Sequence, residues 1–537
     1  MSVVEEPATS VRWGRDVVRG TVHGRPSLRY KERPRRVRDL LVGSRRWRGR
    51  ELLVQGKRRL TVEQHERAVA AVANRLAAYG VTEGDRVMLL GFNSIEWVVS
   101  FWALQTLGAV AALGNAWWSD HEADALVNKC DVKLVVTERE IHSVPRVGFA
   151  ELRTVVDCDD QAVLPDTEIS EEDPAVILFS SGTTGTPKAI LWSQRSVIGN
   201  LHNLLAMTRS LPDELPDDHT GTTSLQTVPL FHLAGVQVSC ATLLQGGRLV
   251  MLDGKFDPVE VLRLIETEKV RSWGAIPTMV TRVLDCPELP ERDTSSLKSI
   301  PLGGAPVPAN LRERISEAFP NVKKRVGSLY GLTETGGLLA AGAGAEIGSH
   351  PGRVGKPLPV VEVRIAEPDE DGVGEIQART PNAPEGYVAG GPIEDTDGWI
   401  ATGDLGRVDE EGYLYVTGRV KEVIIRAGEN IAAANVENTL LQHPDVADVG
   451  VLGLPDEDLG EIVGAVVVPH AECQTPSVND LARWCREKLA RYEIPERWWI
   501  RREQLPMTGI GKVAKRELTD RWVQLGAANV VDEASVS

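Results

Sequence analysis

Apolar and polar positions along the chain alternate between a helical and a strand period. Thr61-Val-Glu-Gln64 is a capping-box pattern, and Val69, Val72, Leu76 and Tyr79 then share one helical face that Gly80 closes. Val87–Leu90 reads as a buried strand, Ser94–Thr106 as a helix and Ala109–Leu113 as the next strand. The alternation returns with expected strands at Ala175–Phe179, Arg248–Leu252 and Ser272–Ile276, and expected helices at Ser193–Leu205, Pro258–Thr267 and Ala309–Ala318. Strand and helix in turn predict an α/β fold. Trp97 to Trp118 carries no charge over 22 residues, but Gln105, Gly108, Gly114 and Asn115 interrupt it, so it reads as core rather than as a membrane span.

From about residue 355 the texture changes to short β runs: Val360–Ile365, Gly374–Arg379, Trp399–Thr402 and Tyr413–Val416. A small barrel or sheet module is expected over about 355–417. After Gly418 a mixed block follows, with strands at Val423–Ile425, Val446–Leu452 and Val463–Val468 and helices at Ala433–Gln442 and Ser477–Leu489. The expected division is therefore a large unit over residues 1–419 and a smaller one over 420–537, with a frayed tail at 526–537.

The chain has 537 residues, and 60 basic against 76 acidic ones give −16, which argues against general nucleic-acid affinity. Residues 1–60 hold 17 Lys and Arg against 6 Asp and Glu, a surplus of +11. That basic start reads foremost as a solvated face balancing the acidic remainder; the alternative is contact with acidic lipid headgroups or a polyanion. Met1–Val11 has no Lys or Arg and no apolar core follows, so no secretory signal is expected. Six scattered Cys without a CxxC suggest neither zinc nor disulfides, as in a reducing cytoplasm.

The densest chemistry lies in Ile177-Leu-Phe-Ser-Ser-Gly-Thr-Thr-Gly-Thr-Pro-Lys188. Glycines let backbone N–H groups approach an anion, hydroxyls donate, and the lysine adds charge. It is not a Walker A loop, because Pro187 occupies the second Gly position. Ala189–Trp192 looks like a returning strand, so the loop is expected to join two strands. A second Gly-rich run, Gly342-Ala-Gly-Ala-Glu-Ile-Gly348, is one residue too long for a dinucleotide fingerprint and reads as a flexible loop.

Further motifs follow in order: Pro-Leu-Phe-His (229–232), Gly-Gly-Ala-Pro (303–306), Tyr-Gly-Leu-Thr-Glu-Thr (330–335) and Thr-Gly-Asp (402–404), then Gly-Arg-Val-Lys-Glu (418–422), Gly-Glu-Asn-Ile (428–431) and Gly-Lys (511–512). With Ser180–Lys188, this series resembles the adenylate-forming superfamily of acyl-CoA synthetases, luciferases and peptide-synthetase adenylation domains, from about Leu60 to Lys515. The implied fold is α/β, a large N-terminal domain of two βαβ-type subdomains plus a small β-barrel, with a mobile smaller α+β C-terminal domain. The implied reaction uses ATP, Mg²⁺ and coenzyme A: a carboxylic acid becomes an acyl-adenylate, and a thiol then displaces AMP.

By the same resemblance, Ser180, Ser181, Gly182, Thr183, Thr184, Gly185, Thr186 and Lys188 form the loop that holds the β- and γ-phosphates. Glu334 matches the Mg²⁺ ligand and Thr333 a hydroxyl facing the α-phosphate. Tyr330 matches the aromatic packed on adenine, with Gly331 beside it and Gly304, Ala305 and Pro306 bordering the base. Asp404 matches the acceptor of the ribose hydroxyls, and Arg419 the second ribose contact. Lys512 matches the catalytic lysine between carboxylate and α-phosphate, Lys421 the hinge, and Gly428 the region that meets the thiol after rotation. His232 matches an acyl-pocket position, though its apolar run also suits a satisfied core histidine. Ala234 and Gly235 suggest room for an acyl body, and Leu329 narrows the space near the nucleotide. No charged handle is evident, so a hydrophobic fatty, aryl-alkanoic or alicyclic acid is expected.

The sequence departs from the pattern at Ala189, Gln194, Glu422, Ala427, Ala433 and Asn435. These leave the adenylation set intact and bear on the thioester-forming state and the thiol acceptor. The alternative is a stand-alone adenylating enzyme that loads a carrier protein. Partners are then an acid and CoA, with no nucleic acid, in a cytoplasmic monomer or homodimer.

Overall fold

The computed structural model of the chain describes residues 12–158, 162–180, 187–303, 309–322, 326–343, 345–348, 350, 352–427, 429–470, 473–507, 513–526 and 529–531. The capping box forms as the sequence indicates: the Thr61 hydroxyl accepts from the Gln64 amide and the Gln64 side chain from the Thr61 amide, opening helix Val62–Ala78. The uncharged stretch becomes helix Ile95–Leu107, with every residue buried, followed by strand Val110–Gly114. Ser94 caps that helix and Gly108, in the left-handed region, ends it. Among the described residues no helix is long and apolar enough to cross a membrane.

The first sheet has seven strands in the order Gly386–Tyr387, Lys188–Ser193, Pro174–Ser180, Val110–Gly114, Arg86–Leu90, Leu134–Val136 and Arg146–Val147. Strands Pro174–Ser180, Val110–Gly114, Arg86–Leu90 and Leu134–Val136 run parallel and are mostly apolar, because helices cover both faces. Trp97, Phe101 and Trp102 fill the core on one side. A second sheet pairs Ser272–Gly274, Thr223–Gln226, Arg248–Met251 and Glu51–Gln55 in parallel, with Arg58–Thr61 antiparallel at the edge.

The β-rich region begins earlier than the sequence suggests. An eight-stranded sheet takes its first three strands from Ile300–Leu302, Val326–Leu332 and Gly337–Ala343, well before residue 355. The cause is the glycine- and alanine-rich Gly337–Ala343, whose side chains carry no strand period to read. Gly342 therefore lies in a strand and Ala345–Gly348 forms a helical turn, which corrects the flexible-loop reading. A further sheet, between residues 423 and 531, is covered by helices Ala433–Leu440 and Val478–Arg486 over a core of Val436, Leu440, Leu481 and Trp498.

The basic start is spent on docking. Arg33 and Arg35 both reach Glu171 (2.8 and 2.7 Å), Arg45 reaches Glu66 (2.7 Å) and Arg46 reaches Asp217 (2.9 Å). Arg15 pairs with Glu214 at 2.5 Å. Part of the surplus is thus balanced within the fold, and apart from Glu66 the carboxylates these arginines meet lie far along the chain.

Candidate active site

Strands Pro174–Ser180 and Lys188–Ser193 pair antiparallel with Lys188 opposite Ser180. The two ends of the Ser/Thr/Gly-rich run are thus fixed side by side, while Ser181, Gly182, Thr183, Thr184, Gly185 and Thr186 lie outside the described residues. The Ser180 hydroxyl donates to Glu334 Oε1 at 2.6 Å. Lys188 Nζ stands 5.3 Å from the Tyr387 ring centre, on the neighbouring strand.

Glu334 sits in the single turn Thr333–Thr335 between strands Val326–Leu332 and Gly337–Ala343. The Thr335 hydroxyl accepts from the Leu332 amide, which tightens the turn. Gly336 has φ of 72°, and a Cβ there would come within 2.0 Å of the Asn382 carbonyl, so only glycine lets this turn press so close. Thr333 and Glu334 are thereby held at the end of the strand that carries Tyr330 and Gly331.

Asp404 and Arg419 are direct partners across strands Ile400–Val408 and Leu414–Arg419. Their side chains meet at 2.7 Å, and the Tyr330 hydroxyl donates to the other Asp404 oxygen at 2.9 Å. Burial and the Asp404 charge raise the Tyr330 phenol well above its ordinary range, so it stays a donor. The carboxylate is buried while Arg419 is nearly half exposed, which leaves the pair open on the arginine side.

All these groups face one cleft of about 3680 Å³, several times an ordinary ligand pocket. His232 lines it from the N-cap of helix Leu233–Leu244, with its ring 4.7 Å from Phe231. Ala234 and Leu329 also line it. Gly235 does not: its α-carbon faces the Pro229 carbonyl, where a Cβ would come within 2.2 Å. Its small size therefore serves the helix start rather than an acyl body, which corrects that expectation.

From the C-terminal side the cleft is lined by Lys421, Met507, Val513 and Lys515. Met507 and Val513 pair as an isolated antiparallel bridge. Lys512 itself, Gly428, and Gly304, Ala305 and Pro306 lie outside the described residues. Lys421 is exposed in the turn Val420–Glu422, between strands Leu414–Arg419 and Val423–Arg426. Lys515 bridges Glu422 (2.6 Å) and Glu437 (2.8 Å).

Two departures have structural accounts. Gln194 is fully buried and its side-chain oxygen accepts from the Val37 amide at 2.7 Å, tying helix Val37–Gly43 to the start of helix Gln194–Met207. Ala427 keeps φ of 51°, a left-handed conformation that costs a non-glycine residue about 1–2 kcal/mol.

A magnesium ion is the metal implied by the motif series. The residues fit it: Glu334 supplies one carboxylate at the cleft, steadied by the Ser180 hydroxyl. A small hard cation that keeps several waters needs few protein ligands beside phosphate oxygens. Sequence reasoning missed Tyr387 under Lys188, and Asn200 and Asn382 against the Gly336–Gly337 turn. Their spacing carries no local pattern, since they meet the site only through folding.

The chain is similar to known proteins over most of its length. The family described as AMP-binding enzyme matches residues 42–388, and its C-terminal domain matches residues 435–512. A feruloyl-CoA synthase of an Amycolatopsis species is 34% identical, with 86% of this chain and 94% of that protein covered. An indoleacetate–CoA ligase of Aromatoleum aromaticum is 32% identical over 86% of this chain and 93% of its own. The o-succinylbenzoate coenzyme A synthetase of Bacillus subtilis, solved with ATP and magnesium ion, is 28% identical with a TM-score of 0.75, over 89% of this chain and 98% of that one.

Proposed function

The chain belongs to the AMP-binding enzyme family and is an AMP-forming acid–CoA ligase, and we propose that its acid is a hydrophobic, aryl-bearing carboxylic acid. The observation that carries this reading is the convergence of Ser180–Glu334, Lys188, Tyr330–Asp404–Arg419 and His232 on one cleft. The aryl body is favoured by the named substrates of the relatives and by the apolar lining around His232.

In the proposed first step a carboxylate oxygen bonds to the α-phosphorus of ATP and the bond to pyrophosphate breaks. Thr183, Thr184 and Lys188 hold the departing phosphates, and Lys512 offsets charge on the α-phosphate. Glu334 holds magnesium, which supplies Lewis-acid neutralisation of phosphate charge when bound. Asp404, steadied by Arg419 and Tyr330, accepts from the ribose. In the second step the CoA thiol attacks the acyl carbon and AMP leaves. Lys421 is the hinge at which the C-terminal part, residues 420–537, turns to exchange Lys512 for the Gly428 region. The reaction needs no protein nucleophile.

The test is ATP-dependent pyrophosphate release over a panel of acids, with and without CoA. Release with aryl acids that rises when CoA is added supports the reading. Release that answers only to a phosphopantetheinylated carrier protein favours carrier loading instead, and no release with any acid rejects adenylation.

A further inference from the structure

The cleft does not stop at His232. Beyond it a passage runs between helix Leu233–Leu244 and the strands Thr223–Gln226 and Ser272–Gly274. The helix returns antiparallel to those strands, since the turn at Gly246–Gly247 packs on Thr222 and Gly221. From Ala234 to Gln245 the helical wall is about 16 Å long at 1.5 Å per residue.

The lining changes along that length. Toward His232 the helix presents Ala234, Gln237 and Val238 to the cleft, and further along it Ala241 and Thr242. Opposite Val238 stands Gly274, where a Cβ would lie 3.7 Å from Val238 Cγ2, so a methyl fits there in ordinary contact and a larger side chain would fill the space between strand and helix. Deeper in, Ser224 and Ser272 are cross-strand partners, both half-buried, and their hydroxyls have no protein partner among the described residues. Gln245 lies at the same end and spends its amide nitrogen on Ser210 at 3.1 Å. Arg271 closes the far end, exposed and with no ion pair among the described residues. Its charge is the smallest of the causes that lower the nearby His219, after burial, Arg50 and Arg46.

Resting on the ligase reading above, we infer that the acid is elongated, with an apolar middle that passes Gly274 and a second, anionic group that ends at Ser224, Ser272 and Arg271. An apolar tail would cover the half-buried Ser224 and Ser272 hydroxyls without offering them an acceptor and would leave the exposed Arg271 charge unused. A distal carboxylate supplies four lone-pair sites and a charge to offset Arg271. Gly274 then sets which acids pass, and Arg271 which of those are held.

The experiment measures kcat/KM for pyrophosphate release with paired aryl-bearing acids of equal length, one ending in a carboxylate and one in a methyl group, over a graded series of lengths. The carboxylate-ended acid is expected to win at least tenfold at the favoured length. Arg271→Met is expected to shrink that ratio at least tenfold. Gly274→Leu is expected to shift preference to the shortest acids. Gly274→Ala, whose added methyl makes only an ordinary contact, should fold and give a smaller shift the same way. Methyl-ended acids that match or beat their partners would overturn the inference, as would a ratio unmoved by Arg271→Met. Failure of every acid to release pyrophosphate would instead reject the ligase reading and this inference with it.

Discussion

The Ser180 hydroxyl and the Glu334 carboxylate lie 2.6 Å apart although 154 residues separate them. Their bond fixes the entrance of the Ser/Thr/Gly-rich run against the turn Thr333–Thr335. In the proposed reading this holds the phosphate-binding run and the carboxylate close enough for one nucleotide to span both.

Glu334→Gln is expected to lower the rate of acyl-adenylate formation 10- to 100-fold and to raise the magnesium concentration needed for half-maximal rate. Ser180→Ala should move both in the same direction by less, since it removes one hydrogen bond to a charged acceptor. Chelation of magnesium should stop pyrophosphate release in the wild type. Magnesium titrations of initial rate check this, and an unchanged half-saturation in Glu334→Gln would remove the carboxylate from the metal's shell.

Asp404→Ala is expected to raise the KM for ATP by about tenfold or more, the loss of a charge-assisted hydrogen bond being about 1.5–3 kcal/mol. Tyr330→Phe removes the hydroxyl that steadies the second oxygen at 2.9 Å and should raise the same KM less. Initial-rate kinetics at saturating acid separate the two, and equal KM values across all three proteins would dissociate the cluster from the nucleotide.

Lys512→Ala should cut acyl-adenylate formation about 100- to 1000-fold while ATP affinity changes little, because the lost charge acts at the transition state. Lys421→Pro should spare that step and slow thioester formation. Single-turnover assays that score acyl-AMP and acyl-CoA apart provide the check; equal loss of both products in Lys421→Pro would count against the hinge.

Lys515 sits between Glu422 and Glu437, and although burial opposes it, the two carboxylates raise its amine. Lys515→Met leaves the half-buried Glu437 uncompensated and is expected to destabilise the residues around helix Ala433–Leu440 by about 1–3 kcal/mol. Adding Glu437→Gln should recover a good part of that loss. Urea unfolding of the three variants measures it, and a double variant no better than the single one would assign the cost to packing.

His23, at the tip of the hairpin formed by Val17–Val22 and Arg25–Tyr30, bonds Glu385 at 2.9 Å and Glu394 at 2.8 Å. Those bonds lift it to about 9, against burial and Arg195. A raised folded value means the contribution is complete below about 6.5 and is lost as pH rises through about 9. The urea midpoint of the wild type should therefore fall between pH 7 and 9.5 by more than that of His23→Gln. Parallel pH dependence in the two would show that the hairpin docks without this charge.

The sequence alone determined the elements whose signals are local. The capping box at Thr61, the helix Pro258–Thr267 and the returning strand after Lys188 are written in neighbours three or four residues apart, or two apart in a strand. The motif series likewise named Glu334, Asp404 and Lys188, because their residue types sit in runs of fixed order. What folding decided was adjacency. Tyr387 reaches Lys188, Asn382 presses on Gly336, and the arginines of the first 60 residues find acids such as Glu171 and Glu214 only across the tertiary fold. Gly235 and Gly274 look alike in sequence, yet one faces a carbonyl and the other an open passage. Side-chain periodicity carries information over one or two turns of chain, whereas these contacts depend on how strands hundreds of residues apart come to lie in one sheet.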